Sequence, residues 1–203
     1  MTKDCDQVAV DTAFLIKIVE SDNGILFEKI MKQMNRIPVI HEYVYQHEVM
    51  ENRAIKALID KNIINIINYS DFLLEEFDKE QYERIFRQTY KGMNGQSLHE
   101  KENIFLYHRA EENIGEIHTA LMALHLNIDL MVSDDNGAKN YIEKNLSSKR
   151  HKLSVQNIPD VLLSLASSDC CFLHWQDIKG LIKRLYGKNS KIYIEIRKCW
   201  QSV

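Results

Sequence analysis

Glycine and proline are scarce in this sequence, which has seven Gly and two Pro in 203 residues. Flexible and semi-rigid linkers are rich in these residues, so separate domains joined by long linkers are not expected. The first residues lack the apolar core of a signal peptide, and no stretch approaches the ~20 apolar residues of a membrane span. These absences predict one cytoplasmic domain over residues 1–203 that does not enter a membrane.

Cysteine is also uncommon, and the four cysteines do not have the spacing of a metal-binding motif. They are Cys5, Cys170, Cys171 and Cys199. The adjacent pair Cys170 and Cys171 is a poor arrangement for a structural disulfide. We therefore expect reduced, buried thiols rather than a disulfide framework or a thiolate metal site.

The short motifs of several enzyme classes are missing as well. The chain has no G-x-x-x-x-G-K-[ST], G-x-G-x-x-G, G-x-S-x-G or H-E-x-x-H sequence. Asp11 has no second Asp two residues later, which argues against a phosphatase that forms an aspartyl phosphate. The eight histidines are scattered, and His118 and His125, two turns apart, are more typical of surface or packing positions. Carboxylates remain as the candidates for chemistry.

Charge is distributed unevenly along the chain, although the formal net charge is only -3. Residues 1–138 contain 14 Lys/Arg and 24 Asp/Glu, whereas residues 139–203 contain 12 Lys/Arg and five Asp/Glu. A basic C-terminal third beside an acidic body could hold a polyanion while the body holds cations. A solvated basic face explains the same distribution.

The apolar pattern predicts strands that alternate with helices. Short runs rich in β-branched or apolar residues predict strands at 7–10, 63–69, 129–133 and 153–155. Helices are predicted at 12–20, 41–61, 71–90, 98–111, 112–126, 139–145 and 160–167, and from Asp177 onward, and Asn127 is well placed to end the 112–126 helix. This alternation predicts an α/β fold with a central parallel sheet and helices on both faces.

Two acidic groups stand directly after predicted strands. Asp11 follows Val10, and the pair Asp134-Asp135 follows Ser133. Ligands of open parallel sheets bind beyond the carboxyl ends of the strands, so this placement favours a site. An Asp before a helix also serves as a helix cap, which explains either acid alone equally well.

Two glutamates are singled out by their helical positions. At 100° per residue on a helix from His41, Glu48 lies on the apolar face, Glu51 lies at its edge and Glu42 points into solvent. A carboxylate on an apolar face is costly unless it is paired or binds a metal, so Glu48 is preferred, with Glu51 in reserve as a surface acid. Glu116 lies near a helix N-terminus, whose positive dipole also explains it structurally.

Carboxylates that converge on one pocket repel one another, and a bound divalent cation removes that repulsion. All-oxygen ligands favour Mg²⁺ or Mn²⁺ over zinc. Such ions activate water and stabilise charge at a phosphorus centre. The acids therefore predict a metal site suited to phosphodiester hydrolysis.

Four segments in this order resemble the PIN-domain family of nucleases. The segments are Val10-Asp11-Thr12-Ala13-Phe14-Leu15, Ile37-Pro38 through Val44-Tyr45-Gln46-His47-Glu48-Val49, Gly115-Glu116-Ile117-His118-Thr119-Ala120, and Leu130-Met131-Val132-Ser133-Asp134-Asp135-Asn136-Gly137-Ala138. The last two are similar to a subgroup with a Gly-Glu helix and an Asp-Asp pair after the next strand. The resemblance covers roughly residues 7–70 and 112–180.

The resemblance implies a three-layer α/β/α fold and a Mg²⁺- or Mn²⁺-dependent ribonuclease. By position, Asp11, Glu48 and Glu116 correspond to metal-binding, catalytic acids. The family's Ser/Thr-x-Asp order places Asp135 as the fourth acid and Ser133 as its hydroxyl, while Asp134 stays open as a ligand. Thr12 would be the hydroxyl that lines the site. Many members are toxins of toxin–antitoxin pairs and many are dimers, so an antitoxin partner and a homodimer are implied as well.

Two segments depart from compact members of the family. Residues 71–111 resemble an added helical insertion, and the tail after about Ile182 is longer than the minimum. Either could gate the substrate, contact another subunit or be decoration. A second hypothesis is therefore a catalytically weak PIN-like scaffold whose insertion docks a protein partner.

Phosphate contacts are predicted in the basic segment that follows the last acids. They are Lys139, Lys149, Arg150 and Lys152. The sequence leaves open which RNA is cut and whether DNA is cut as well.

Overall fold

The structure is a computed structural model that describes residues 6–109, 113–146, 152–168 and 172–201. Five parallel strands form one sheet in the order β3-β2-β1-β4-β5. Their bounds are β1 Asp6–Val10, β2 Arg36–His41, β3 Asn65–Ile67, β4 Leu130–Val132 and β5 Ser154–Gln156. The predicted parallel sheet is confirmed.

Ten α-helices in the described residues surround this sheet. Their bounds are α1 Thr12–Val19, α2 Ile25–Met34, α3 Glu42–Val44, α4 Arg53–Asp60, α5 Glu76–Asn94, α6 Ile114–His125, α7 Asn136–Asn145, α8 Ile158–Ala166, α9 Trp175–Tyr186 and α10 Lys191–Gln201. A π-helical turn, Tyr45–Val49, continues α3, and a 3₁₀ turn, Tyr69–Asp71, follows β3.

The core is divided into two apolar layers by the sheet, as strand geometry requires. Along β1, Val8 and Val10 belong to one buried cluster and Ala9 to the other, because successive side chains point to opposite faces. The first cluster includes residues of α1, α2, α4, α8, α9 and α10, and the second includes residues of α5, α6 and α7. The fold is therefore a three-layer α/β/α sandwich.

The strand order creates a switch point in the centre of the sheet. From β1 the chain moves outward to β2 and β3, and then returns to pair β4 with the other side of β1. The carboxyl ends of β1 and β4 thus lie side by side, and the Asp11 N–H donates to the Val132 carbonyl at 3.0 Å. A crevice at such a point is where open α/β sheets bind ligands.

The long helix predicted from His41 to Lys61 is wrong. Residues 36–41 form β2, and the helix that follows is interrupted at Met50–Asn52. The Asn52 side chain accepts from the Ala54 and Ile55 amides, so a new helix, α4, begins there. The spacing of apolar residues over 41–61 does not reveal a capping residue such as Asn52, so the sequence predicted one uninterrupted helix.

Other differences concern local structure. The helix predicted at 98–111 is absent from residues 98–109, which form turns and irregular backbone. Helix α2 and strand β2 were not predicted. Cys199 is a free thiol but is exposed, so burial is wrong for it, while Cys5, Cys170 and Cys171 lie outside the described residues.

The C-terminal segment is part of the core. Trp200 is 8 % exposed, and its indole N–H donates to the Leu162 carbonyl of α8 at 2.9 Å. Tyr193 and Ile196 are buried in the same layer. Among the described residues, none of the helices is both long enough and apolar enough to cross a lipid bilayer.

Candidate functional site

The candidate site lies at the switch point, where Asp11 ends β1. Asp11 is fully buried and caps α1 by accepting from the Ala13 N–H at 3.2 Å. Its Oδ2 atom also accepts from the Ser133 hydroxyl at 3.1 Å, whereas Oδ1 has no hydrogen-bond partner among the described residues. Asp11 can therefore cap the helix and also belong to a site, because Oδ2 accepts the hydrogen bonds while Oδ1 is left for a ligand.

Glu48 reaches this centre from the π-helical turn. Its Oε2 atom accepts from the Thr12 hydroxyl, which follows Asp11 directly. Its Oε1 atom approaches Gly115 so closely that a Cβ there would be 2.4 Å away. The Gly-Glu step at the start of α6 thus leaves room for a carboxylate from another element.

Glu116 and Asp135 complete a set of four acids. Glu116 lies in the first turn of α6, and Asp135 caps α7 by accepting from the Ala138 N–H at 2.8 Å. The Asp135 N–H donates to Ser133 Oγ at 3.3 Å, so Ser133 contacts both Asp11 and Asp135. Thr12 and Ser133, the predicted hydroxyls, therefore bond to acids of this set.

The pKa values of three of these acids are raised, mainly by burial and further by the charge of a neighbouring acid. Burial raises the pKa of Asp11 well above its ordinary value, and the charges of Glu116 and Glu48 raise it further. Burial raises the pKa of Glu48 to about 7, against the effect of the Thr12 hydrogen bond and with help from Glu116. Burial, opposed by a backbone hydrogen bond and assisted by Asp135, raises the pKa of Glu116. The four acids form one electrostatic network.

Asp134 points away from this network. It forms an ion pair with Lys17 at 2.7 Å, accepts from the Ile158 N–H at 3.3 Å and bonds to the Tyr186 hydroxyl. Its charge is therefore satisfied by α1, α8 and α9. Sequence reasoning missed Lys17 and Tyr186, because their contact with Asp134 joins segments far apart in the chain.

No family model, curated protein or solved structure matches this chain. The resemblance to PIN domains therefore depends on the residues that carry it. Within the part of the chain that the structure describes, no three His, Cys, Asp or Glu side chains are placed as a ready-made metal-binding group. Glu48 and Asp135 are instead held by hydrogen bonds to Thr12 and Ala138.

The two other glutamates of the 41–61 segment lie outside the network. Glu51 is exposed, as expected for a surface acid. Glu42 was expected to be solvated, but it is half-buried and accepts from the Tyr69 N–H at 2.5 Å. That expectation is wrong, because the 3₁₀ turn after β3 packs over α3.

The predicted phosphate contacts are not gathered at the acids. Lys139 forms an ion pair with Asp160. Lys152 is exposed and precedes β5, so it lies at the amino edge of the sheet, opposite the carboxyl edge where the acids meet. Lys149 and Arg150 lie outside the described residues.

A buried cluster of aromatic and histidine side chains lies where β2, α3, α5 and α6 meet. His41 and His118 are fully buried and stacked, with ring centroids 5.1 Å apart. The Tyr82 hydroxyl bonds to His118 Nδ1 at 2.7 Å, and His41 Nδ1 accepts from the Tyr43 N–H at 2.9 Å. Burial lowers the pKa of His41 to about 3, so this histidine is neutral. The expected packing role of His118 is confirmed.

Proposed function

We propose that this chain is a divalent-cation-dependent ribonuclease that hydrolyses RNA phosphodiester bonds. The observation that carries the proposal is the convergence of four carboxylates, from four different elements, at the switch point of a parallel sheet. Burial raises the pKa values of Asp11, Glu48 and Glu116, and neighbouring charges raise them further: Glu116 and Glu48 act on Asp11, Glu116 acts on Glu48, and Asp135 acts on Glu116. Acids that serve only as helix caps have no reason to be brought together in this way.

The donor set fits Mg²⁺ or Mn²⁺. It consists of carboxylate and hydroxyl oxygens, which these hard cations prefer. The buried Asp11 Oδ1 atom has no hydrogen-bond partner among the described residues, and a buried carboxylate oxygen without a partner is costly. A cation held by Asp11, Glu48, Glu116 and Asp135 would provide that partner and offset the repulsion between the acids.

The chain's own residues would orient the cation and the substrate. A bound cation supplies an activated water and stabilises the charge on the phosphorus centre. Thr12 and Ser133 orient the carboxylates of Glu48 and Asp11 by hydrogen bonds. In this mechanism the acids act as ligands rather than as nucleophiles. Asp134, already bonded to Lys17, is not assigned as a ligand.

RNA as the substrate is supported by the PIN-like motifs. The toxin role, the antitoxin, the homodimer and the cytoplasmic location stay predictions. Lys139 stays a candidate phosphate contact only if RNA displaces it from Asp160.

Asp11→Asn tests the proposal. Asn keeps the cap on α1 but removes the central charge, so we expect Mn²⁺-dependent cleavage of RNA to fall by about 100-fold or more, with the fold intact. The matched control is Asp6→Asn, since Asp6 is exposed at the other end of the same strand. Cleavage by purified Asp11→Asn at the rate of the wild type overturns the assignment.

Thermal unfolding with and without Mn²⁺ separates a working site from a scaffold. Binding at 100 times Kd stabilises the folded state by about 2.7 kcal/mol, which raises Tm by roughly 5 to 10 °C in a chain of this size. We expect this rise in the wild type and its loss in Glu116→Gln. The absence of any rise in the wild type supports the scaffold hypothesis.

A further inference from the structure

A cationic cavity lies between α9 and α10, outside the acid network. Its volume is about 420 Å³, and its lining includes Lys179, Lys188 and Arg197 together with Trp175, Asn189 and Tyr193. No Asp or Glu is among its lining residues in the described part of the chain. Residues 175–201 contain seven Lys/Arg and two Asp/Glu, and three of these seven cations line the cavity.

The cations of this cavity differ from two other lysines of the chain. Lys17 and Lys139 form ion pairs with Asp134 and Asp160. Lys179 and Lys188 are exposed and form no ion pair with any described residue, while Arg197 uses its Nε atom to donate to Gln201 at 2.9 Å. A guanidinium has five N–H donors, so Arg197 keeps further donors for a ligand. These three side chains are positive and available.

Two of the lining residues, Trp175 and Tyr193, are buried aromatic side chains. Trp175 and Tyr193 are 9 % and 5 % exposed and pack edge to face with ring centroids 5.6 Å apart. Lys179 lies one helical turn after Trp175, and Arg197 one turn after Tyr193. The aromatic contact therefore joins the two helices one turn before Lys179 and Arg197.

Part of the cavity lining, Lys188 and Asn189, lies just after the end of α9. Helix α9 ends at Tyr186, whose hydroxyl bonds to Asp134, the neighbour of Asp135. The chain turns at Gly187, which has a φ of 74°, and Lys188 follows at the cavity. On α9, a helix about 18 Å long, the lining residues are Trp175, Gln176 and Lys179, near its start.

We propose that this cavity binds a phosphate group of the RNA strand at a position away from the scissile bond. The inference rests on the proposed ribonuclease function, since it takes the acid network as the place of cleavage. Lysine and arginine side chains neutralise backbone phosphates without reading bases, so the contact provides affinity and register but no sequence preference. A free phosphate would use the same three cations, and the experiment separates these two sources.

The test compares two double variants by fluorescence anisotropy with a labelled single-stranded oligouridine in EDTA. Lys179→Gln/Lys188→Gln removes two cations of the cavity. Lys32→Gln/Lys61→Gln removes two exposed cations near the amino edge of the sheet, beside the starts of β2 and β3. We expect the first to weaken binding about tenfold or more and to reduce the slope of log K against log salt by about 1.4, and the second to do neither.

Each outcome bears on the proposal. Equal binding by the two double variants overturns it, as does a failure of the wild type to bind the RNA. Calorimetric binding of inorganic phosphate that is lost in Lys179→Gln/Lys188→Gln, with RNA affinity unchanged, identifies a free-phosphate site and overturns the RNA contact. Equal Tm values for both variants and the wild type show that the fold is not the cause.

The phosphate contact and the ribonuclease function can be disproved separately. RNA binding that depends on Lys179 and Lys188, without cleavage in Mg²⁺ or Mn²⁺, retains the phosphate contact and removes the nuclease. Mn²⁺-dependent cleavage that is lost in Asp11→Asn, with equal RNA binding by both double variants, retains the nuclease and removes the phosphate contact.

Discussion

Gly115 controls how closely Glu48 approaches α6. A Cβ at this position would lie 2.4 Å from Glu48 Oε1 and 2.8 Å from Oε2, distances that real Cβ atoms do not reach. The requirement for glycine here comes from this close approach, since Gly115 is inside a helix, where glycine is otherwise destabilising relative to Ala. The position of the Glu48 carboxylate therefore requires glycine at residue 115.

Gly115→Ala should displace the Glu48 carboxylate from its position beside Thr12. We expect Mn²⁺-dependent cleavage to fall by at least about tenfold, which is the loss that a misplaced metal-site residue causes. Gly180→Ala is the control, because a Cβ there meets nothing within 4 Å, and it should stabilise the fold by about 0.5 to 1 kcal/mol. Both are measured by cleavage rate and thermal unfolding, and full activity in Gly115→Ala contradicts the placement of Glu48.

Single residues differ in how far the sequence predicts them. Asp11 follows a buried apolar run, and its burial at the carboxyl end of a strand follows from that local pattern. The direction of Asp134 could not be predicted, because it depends on Lys17 and Tyr186, which are 117 residues before it and 52 residues after it. Local patterns contain no information about such pairs.

The turn between β4 and α7 separates two neighbouring acids. Asp135 caps α7, and its charge raises the pKa of Glu116. Asp134 instead turns toward α1 and α9. Adjacent residues in an extended segment point in opposite directions, so one backbone path serves both roles. The site acid and the structural acid are thereby assigned to different positions.

Asp135→Asn and Asp134→Asn should therefore have different effects. Asn caps a helix as well as Asp, so Asp135→Asn should retain the fold but lose most of the Tm rise caused by Mn²⁺. Asp134→Asn loses the ion pair with Lys17 and should lower Tm slightly while keeping the Mn²⁺ response. Titration of Tm against Mn²⁺ measures both, and the reverse pattern would make Asp134 the ligand.

The elements were predicted best where periodicity extends over a whole helix or strand. Helix α6 and strand β4 agree with the predicted segments to within two residues at each end, and Asn127 has a φ of 55° just after α6, as a helix-ending residue does. Glu48 was placed on the inner face from an uninterrupted helix that does not exist. The placement still holds, because the break at Met50–Asn52 comes after Glu48.

Two buried groups of titratable side chains make the stability of the whole molecule depend on pH in opposite directions. Asp11, Glu48 and Glu116 have raised pKa values, so without metal they bind more protons in the folded state than in the unfolded state. Stability therefore falls as the pH rises from the ordinary pKa values of these acids to the raised ones. The pKa values of His41 and His118 are lowered, so stability falls as pH drops below their ordinary value of 6.5. Between about pH 4.5 and 6.5 the two effects oppose each other.

Glu48→Gln isolates one of these opposing effects. The pKa of Glu48 is raised from 4.5 to about 7, so in EDTA the variant should gain stability over the wild type as pH rises between these values. The gain is at most on the order of 3 kcal/mol. Urea unfolding at several pH values measures it, with Glu51→Gln, an exposed neighbour, as the control. Mn²⁺ should reverse the order at pH 8, because only the wild type keeps the full set of ligands. A pH-independent difference would contradict a Glu48 pKa that is raised by burial and by the charge of Glu116.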